Sequence, residues 1–120
     1  MAQHNQTGKQ GEEETVQYLL QHGYEIVERN WRYQRYEIDI IARKGNILSI
    51  VEVKTRTGNF FGEPYEAVTK KKERALADSA DFYVISKDLN VEVRYDIASV
   101  TIFNGKSKVV LIEDAFYPFM

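Results

Sequence analysis

The sequence has no cysteine, two prolines, two histidines and one tryptophan in 120 residues. Without cysteine, disulfides and thiolate metal sites are excluded. The histidines, His4 and His22, make no metal-ligand pair. His4 lies in a polar tail and His22 precedes the glycine expected to end the first helix, so histidine catalysis is not expected. No apolar run approaches the roughly 18 residues of a membrane-spanning helix, and the first ten residues are too polar for a signal peptide. The expectation is a cytoplasmic protein with no membrane partner. There is no internal repeat, low-complexity tract or linker. Sixteen basic residues against 18 acidic ones give a net charge of −2 and a pI near 5.7. That balance argues against nucleic-acid binding by the surface as a whole and leaves only a local basic face.

What is present is ordinary in bulk, with 43% hydrophobic and 28% charged residues, as in a soluble globular chain. The length suits one domain, expected over residues 9–120 behind a frayed tail at 1–8. The informative stretch is 36–56, where two apolar runs flank Lys44-Gly45-Asn46. Asp39 interrupts the first run, and Glu52 and Lys54 interrupt the second. Ionised groups inside apolar strands are costly unless paired, hydrogen-bonded or metal-bound. If Lys44-Gly45 is a two-residue turn, Arg43 faces Asn46 and Asp39 faces Ile50. Strand alternation then puts Asp39, Ile50, Glu52 and Lys54 on one sheet face. Two carboxylates beside an ammonium suit a hard divalent cation such as magnesium, which keeps several waters for chemistry. A buried ion network without metal is the structural alternative.

The flanking elements read as a mixed α/β domain. Val16, Leu19 and Leu20 recur at helical spacing from about Lys9 to His22, with Gly23 as the stop. Glu12, four residues before Val16 and seven before Leu19, shares the apolar stripe, whereas Glu13 and Glu14 do not. All three also suit the positive end of a helix dipole. Tyr24 to Asn30 reads as a strand followed by the packing aromatics Trp31 and Tyr33. Phe60-Phe61 falls in a turn-rich connection, as packing or as a stacking site. Thr69 is an expected N-cap for a helix to about Ser86, with Leu76, Ala80, Tyr83 and Val84 on one face. Its first turn carries Lys70, Lys71 and Lys72, which the dipole disfavours, so a phosphate partner is one explanation and a solvated helix end the other. Val91 to Ile97 alternates as a strand, and Asn104-Gly105 joins a terminal hairpin. Phosphate could be met by Arg29, Arg32, Arg35, Lys54, Arg56, the Lys70–Lys72 run and Arg74, although any one of them could be a plain surface charge.

Asp39 followed by Glu52-Val53-Lys54 resembles the signature of the PD-(D/E)xK nucleases, with Ile38 where a proline often stands. The chain as a whole resembles the YraN-like family of uncharacterised bacterial proteins, uncharacterised protein family 0102. The match rests on Gly11-Glu12, Leu19 to Tyr24, Glu28-Arg29-Asn30-Trp31-Arg32, Glu37-Ile38-Asp39, Val51 to Arg56, Phe61-Gly62, Glu66-Ala67-Val68-Thr69, Lys71-Lys72 and Val93-Arg94-Tyr95-Asp96. Tyr36 and Lys70 depart from it, standing where glycine and proline are frequent. That family is similar in turn to archaeal Holliday-junction resolvases. The resemblance implies a restriction-endonuclease-like fold, a mixed central sheet flanked by helices. It implies phosphodiester hydrolysis in DNA, branched DNA being a candidate substrate, with Mg2+ or Mn2+ held by Asp39, Glu52, the Val53 carbonyl and Glu12, and with Lys54 beside the reacting water. Arg32, Arg56, Lys70, Lys71 and Lys72 would meet the nucleic acid, and a homodimer is implied by analogy. A nuclease-fold module that binds without cutting, or a small interaction protein with a structural ion network, are the competing expectations.

Overall fold

The computed structural model describes residues 6–58 and 68–116. His4, Phe60-Phe61, Gly62 and Glu66-Ala67 lie outside the described residues. The elements run α1 (Gln6–Gln21), β1 (Glu25–Tyr33), β2 (Tyr36–Lys44), β3 (Ile47–Thr57), α2 (Lys70–Ser86), β4 (Glu92–Phe103) and β5 (Lys106–Ile112). The five strands form one sheet in the order β1-β2-β3-β4-β5. All neighbours are antiparallel except β3 and β4, which run parallel. A parallel neighbour needs a long crossover, and α2 lies on that connection. The chain is therefore an α/β protein with a mixed sheet. Among the described residues, no helix is long and apolar enough to cross a membrane.

Each face of the sheet has its own core. Val16 and Leu19 of α1 pack with Tyr24, Ile40, Ala42, Val51 and Ala98. Leu76, Ala80 and Tyr83 of α2 pack with Ile38, Ile41, Leu48, Ile50 and Ile97 on the other. Helix α1 begins at Gln6, earlier than its apolar spacing implied, and its first turn holds no acidic residue. A helix dipole acts over the first turn only, so charge compensation does not account for Glu12, Glu13 and Glu14. Leu20 is half exposed and lies off the buried stripe. Helix α2 starts where expected, with the Thr69 hydroxyl accepting from the Lys72 N–H. The two strand segments expected over 91–103 are a single strand, β4. Asn104 and Gly105 both take positive φ, 52° and 73°, as a type I′ hairpin turn requires.

The β2–β3 turn corrects the expected register. Lys44 pairs with Ile47, so the two-residue loop is Gly45-Asn46, and Ile41 rather than Asp39 faces Ile50. Gly45 takes the positive φ, 59°, at the first loop position. This shifts the pairing by two residues, which preserves which residues share a face. Asp39 now counts opposite Glu52.

Two further features set up the site. Gly11 of α1 lies so close to β3 that a Cβ there would overlap the Thr55 Oγ1 atom and crowd Thr55 Cβ at 2.9 Å. Its missing side chain lets α1 sit down on the sheet beside Glu12. On the same side of the molecule, Asp96 is fully buried. It accepts from Arg94 Nε at 3.0 Å, from the Ser49 hydroxyl and from the Asp114 N–H at 3.0 Å. Arg94 also donates to the Tyr24 hydroxyl. A buried charge held by this many partners is tolerated, and removing one partner is costly. The Val93-Arg94-Tyr95-Asp96 run thus ties the β4 strand to β3 and to the C-terminal segment.

Gly11→Ala is expected to destabilise the fold by roughly 1–3 kcal/mol, as overpacking at a close contact does. Urea unfolding of Gly11→Ala, alone and with Thr55→Gly, measures it, and the second substitution should recover most of the loss.

Candidate functional site at the sheet fork

Pairing between β2 and β3 stops at Ile40–Val51, although β2 reaches back to Tyr36 and β3 continues to Thr57. The sheet forks there. β2 stays paired to β1 and β3 stays paired to β4. In the fork the Asp39 carboxylate takes over the missing ladder bond, accepting from the Val53 N–H at 2.8 Å.

Strand alternation also fails at this point. Ile38 and Ile41, three residues apart, both belong to the α2-side core. In β1 the register passes from Arg29–Ile40 to Trp31–Ile38, skipping Asn30 and Asp39. Asn30 carries the break, with φ at 51°, a left-handed conformation that asparagine tolerates better than most residues. The one-face expectation is corrected accordingly. Asp39 sits in the gap of the fork and feels groups from both sides of the sheet, Glu12 from α1 and Lys72 from α2.

A cleft of about 550 Å³ opens at the fork, lined by Glu12, Arg32, Arg35, Tyr36, Glu37, Asp39, Glu52, Val53, Lys54, Thr55 and Lys72, with Thr7 and Gly8 of α1. The expected residues Glu12, Asp39, Glu52, Val53, Lys54, Arg32 and Lys72 are therefore brought together. Arg56, Lys70 and Lys71 are not among the lining residues. Lys70 pairs with Glu73 at 3.6 Å on its own helix.

Each carboxylate has its own arrangement. Glu12 is buried as its place on the apolar stripe required, while Glu13 pairs with Arg29 at 3.0 Å. The Asn30 amide donates to Glu12 at 3.3 Å and to Glu37 at 2.8 Å. Arg32 closes this chain on Glu37 at 3.1 Å. Glu52 is 5% exposed. Its Oε2 meets Lys72 Nζ at 3.1 Å and Lys54 Nζ at 3.6 Å. Its Oε1 is buried and accepts no hydrogen bond. Burial pushes the Asp39 carboxyl up to about 7. The Glu52 carboxylate adds to that push, the Val53 N–H opposes it, Glu12 adds a little more, and Lys72 pulls slightly down.

Asn30 and Glu37 were not assigned a role from the sequence. Glu37 had a signal, since it belongs to the Glu37-Ile38-Asp39 run that carries the family resemblance. Asn30 had none beyond its place in the Glu28–Arg32 match, because its part depends on a left-handed backbone within a strand.

The donors suit a hard cation. A buried carboxylate oxygen without a partner and a neighbouring carboxyl reluctant to ionise are what a divalent ion would satisfy. The three carboxylates do not close into a cage. Among the described residues, no group of three or more histidine, cysteine, aspartate or glutamate side chains is gathered closely enough to hold a metal ion. Magnesium commonly uses one or two carboxylates and several waters, so Asp39 and Glu52 are a sufficient pair.

Residues 11–100 match the Uncharacterised protein family UPF0102. The chain belongs to this family. A UPF0102 protein of Flavobacterium psychrophilum is 49% identical over 119 residues, covering 99% of this chain and all of the relative. One from Bacteroides thetaiotaomicron is 47% identical over 118 residues, covering 98% of each. A third, from Christiangramia forsetii, is 45% identical over 119 residues, covering 99% of this chain and all of the relative. The fork, both carboxylate-bearing strands and the start of α2 fall inside the matched region.

Asp39 should make stability depend on pH in a defined direction. An unfolded aspartate loses its proton near 3.9, whereas the native carboxyl holds it to about 7. Between these values the native state binds more protons, so stability falls as pH rises through that window. Relative to Asp39→Asn, wild type should lose on the order of a few kcal/mol between about pH 4 and pH 7. Urea unfolding of both proteins across that range checks it. A constant difference between them would place the Asp39 carboxyl in an ordinary, water-like environment.

Proposed function

We propose that this UPF0102 protein is a metal-dependent nuclease, or a nuclease-like protein, of the PD-(D/E)xK type that acts on DNA. The observation that carries the reading is the fork itself, where Asp39 of β2 meets Glu52-Val53-Lys54 of β3 beside a buried, unpartnered Glu52 oxygen. The mixed sheet with one helix on each face supports a restriction-endonuclease-like fold. The acidic pI is less of an obstacle than it looks, because Arg32, Arg35, Lys54 and Lys72 share the cleft with the acids.

Asp39 and Glu52 would hold Mg2+ or Mn2+, with Glu12 reaching it through water. When bound, such an ion polarises the phosphate and lowers the pKa of a coordinated water. The chain's own groups do the rest. Lys54 Nζ lies 3.6 Å from Glu52 Oε2. It can donate to a phosphate oxygen or orient the attacking water, but it carries no lone pair to act as base. Asp39 is fixed by the Val53 N–H, so its carboxylate keeps one direction as the site loads and unloads. Arg32 and Arg35 at the cleft wall offer guanidinium forks to the flanking phosphates. Such a groove should favour branched DNA over plain duplex if the resolvase likeness extends to substrate.

Incubating branched, single-stranded and duplex DNA with magnesium or manganese tests this directly. Wild type should cleave, and Glu52→Gln should lose at least about a hundredfold in rate, as deleting one charge-stabilising group in an active site does. Binding should survive or tighten in that variant, since a negative charge is removed, and should fall with added salt at about −0.9 per neutralised phosphate on duplex. Binding without cleavage under every condition would replace the enzyme reading with a non-catalytic nucleic-acid module. Absence of both would leave a protein-interaction role.

A further inference from the structure

Lys72 is the third residue of α2, in the turn where a helix dipole least favours a cation. Its neighbours Lys70 and Lys71 are exposed, whereas Lys72 turns back toward the sheet. Its Nζ lies 3.1 Å from Glu52 Oε2, closer than the 3.6 Å of Lys54. The tighter counter-ion of the buried glutamate therefore comes from the helix and not from the neighbouring strand residue. Lys72 is also the more exposed of the two, 38% against 27% by side chain. Its backbone is anchored independently, through the N–H held by the Thr69 hydroxyl at 3.1 Å. The side chain can thus leave Glu52 without disturbing the helix.

We propose that Lys72 is an exchangeable internal counter-ion, which holds Glu52 until a divalent cation displaces it and then serves a DNA phosphate in the same cleft. The proposal rests on the metal-dependent reading given above. Glu52 is buried, and the Nζ atoms of Lys54 and Lys72 both face its Oε2 while Oε1 stays bare. A doubly charged ion held by Asp39 and Glu52 would take over the role of the second lysine and repel it. The lysine released has Arg32 and Arg35 as fellow cations of the cleft wall. Metal and DNA would then favour each other's binding, because each stabilises the arrangement in which Lys72 has left Glu52.

Magnesium titration by calorimetry on wild type, Lys72→Met, Lys72→Arg and Lys71→Met tests the exchange. Lys71→Met removes the same unit of charge from the same helix turn, so it controls for net charge. Lys72→Met should bind magnesium about tenfold more tightly than Lys71→Met, since a like charge beside the ion has gone. Lys72→Arg should stay near wild type. The gain in affinity for branched DNA on adding magnesium should be large in wild type and lost in Lys72→Met. Equal magnesium affinities in Lys72→Met and Lys71→Met, or an undiminished metal-dependent DNA gain in Lys72→Met, would overturn the counter-ion role while leaving the metal site standing. No magnesium binding by any of the four proteins would remove the metal-dependent reading, and this proposal with it.

Discussion

One hydrogen bond organises the functional end of this molecule, the 2.8 Å contact from the Val53 N–H to the Asp39 carboxylate. A continuous β2–β3 ladder would have buried that amide against backbone and left no room for a ligand. Instead the ladder stops one rung short of Asp39, and the side chain completes the pairing. Closing a ladder with a carboxylate satisfies the orphaned donor and brings a charge into the interior, which backbone pairing alone cannot do. The two strands keep their places because β1 and β4 pair with their outer edges. The cleft is thus a local opening between two strands that each stay paired on their outer side.

The opening explains why acids and bases crowd together there. Glu12 enters from the α1 side, where Gly11 permits close packing on Thr55. Glu52, Lys54 and Lys72 gather around β3 and the start of α2. Asp39, between them, is a carboxyl whose ionisation is costly, and burial is the leading reason. Adjacent carboxylates in a partly dry site store unfavourable electrostatic energy that a cation can relieve. The Arg94–Asp96 pair is a different solution to the same problem. Its charges are matched and hydrogen-bonded on all sides, so it ties elements together and offers nothing to a ligand.

Much of this was legible in the sequence, and the failures have physical causes. Charges inside the two apolar runs marked Asp39, Glu52 and Lys54, and helical periodicity singled out Glu12 over Glu13 and Glu14. Thr69 and Asn104-Gly105 acted as local signals and held in the structure. The β2–β3 turn was placed one residue early because Gly45 suits either loop position. The register error was even and by itself would have kept the shared face, but the break at Asp39 removes it. Strict alternation could not foresee the break at Asn30 and Asp39, which requires a left-handed residue inside a strand. Nor could spacing show that Lys72, one of three consecutive lysines, folds back onto a glutamate twenty residues earlier. That contact is tertiary and leaves no local trace.

The family resemblance and the fork point to the same few residues, and the central claim is that Asp39 and Glu52 form a divalent-cation site. A crystal structure with manganese, read by anomalous scattering, tests it most directly. The account predicts a single strong peak in the fork, within about 2.0–2.4 Å of an Asp39 oxygen and of Glu52 Oε1, with Lys72 Nζ withdrawn from Glu52. A fork without a manganese peak, with Lys72 still seated on Glu52 at saturating metal, would contradict it.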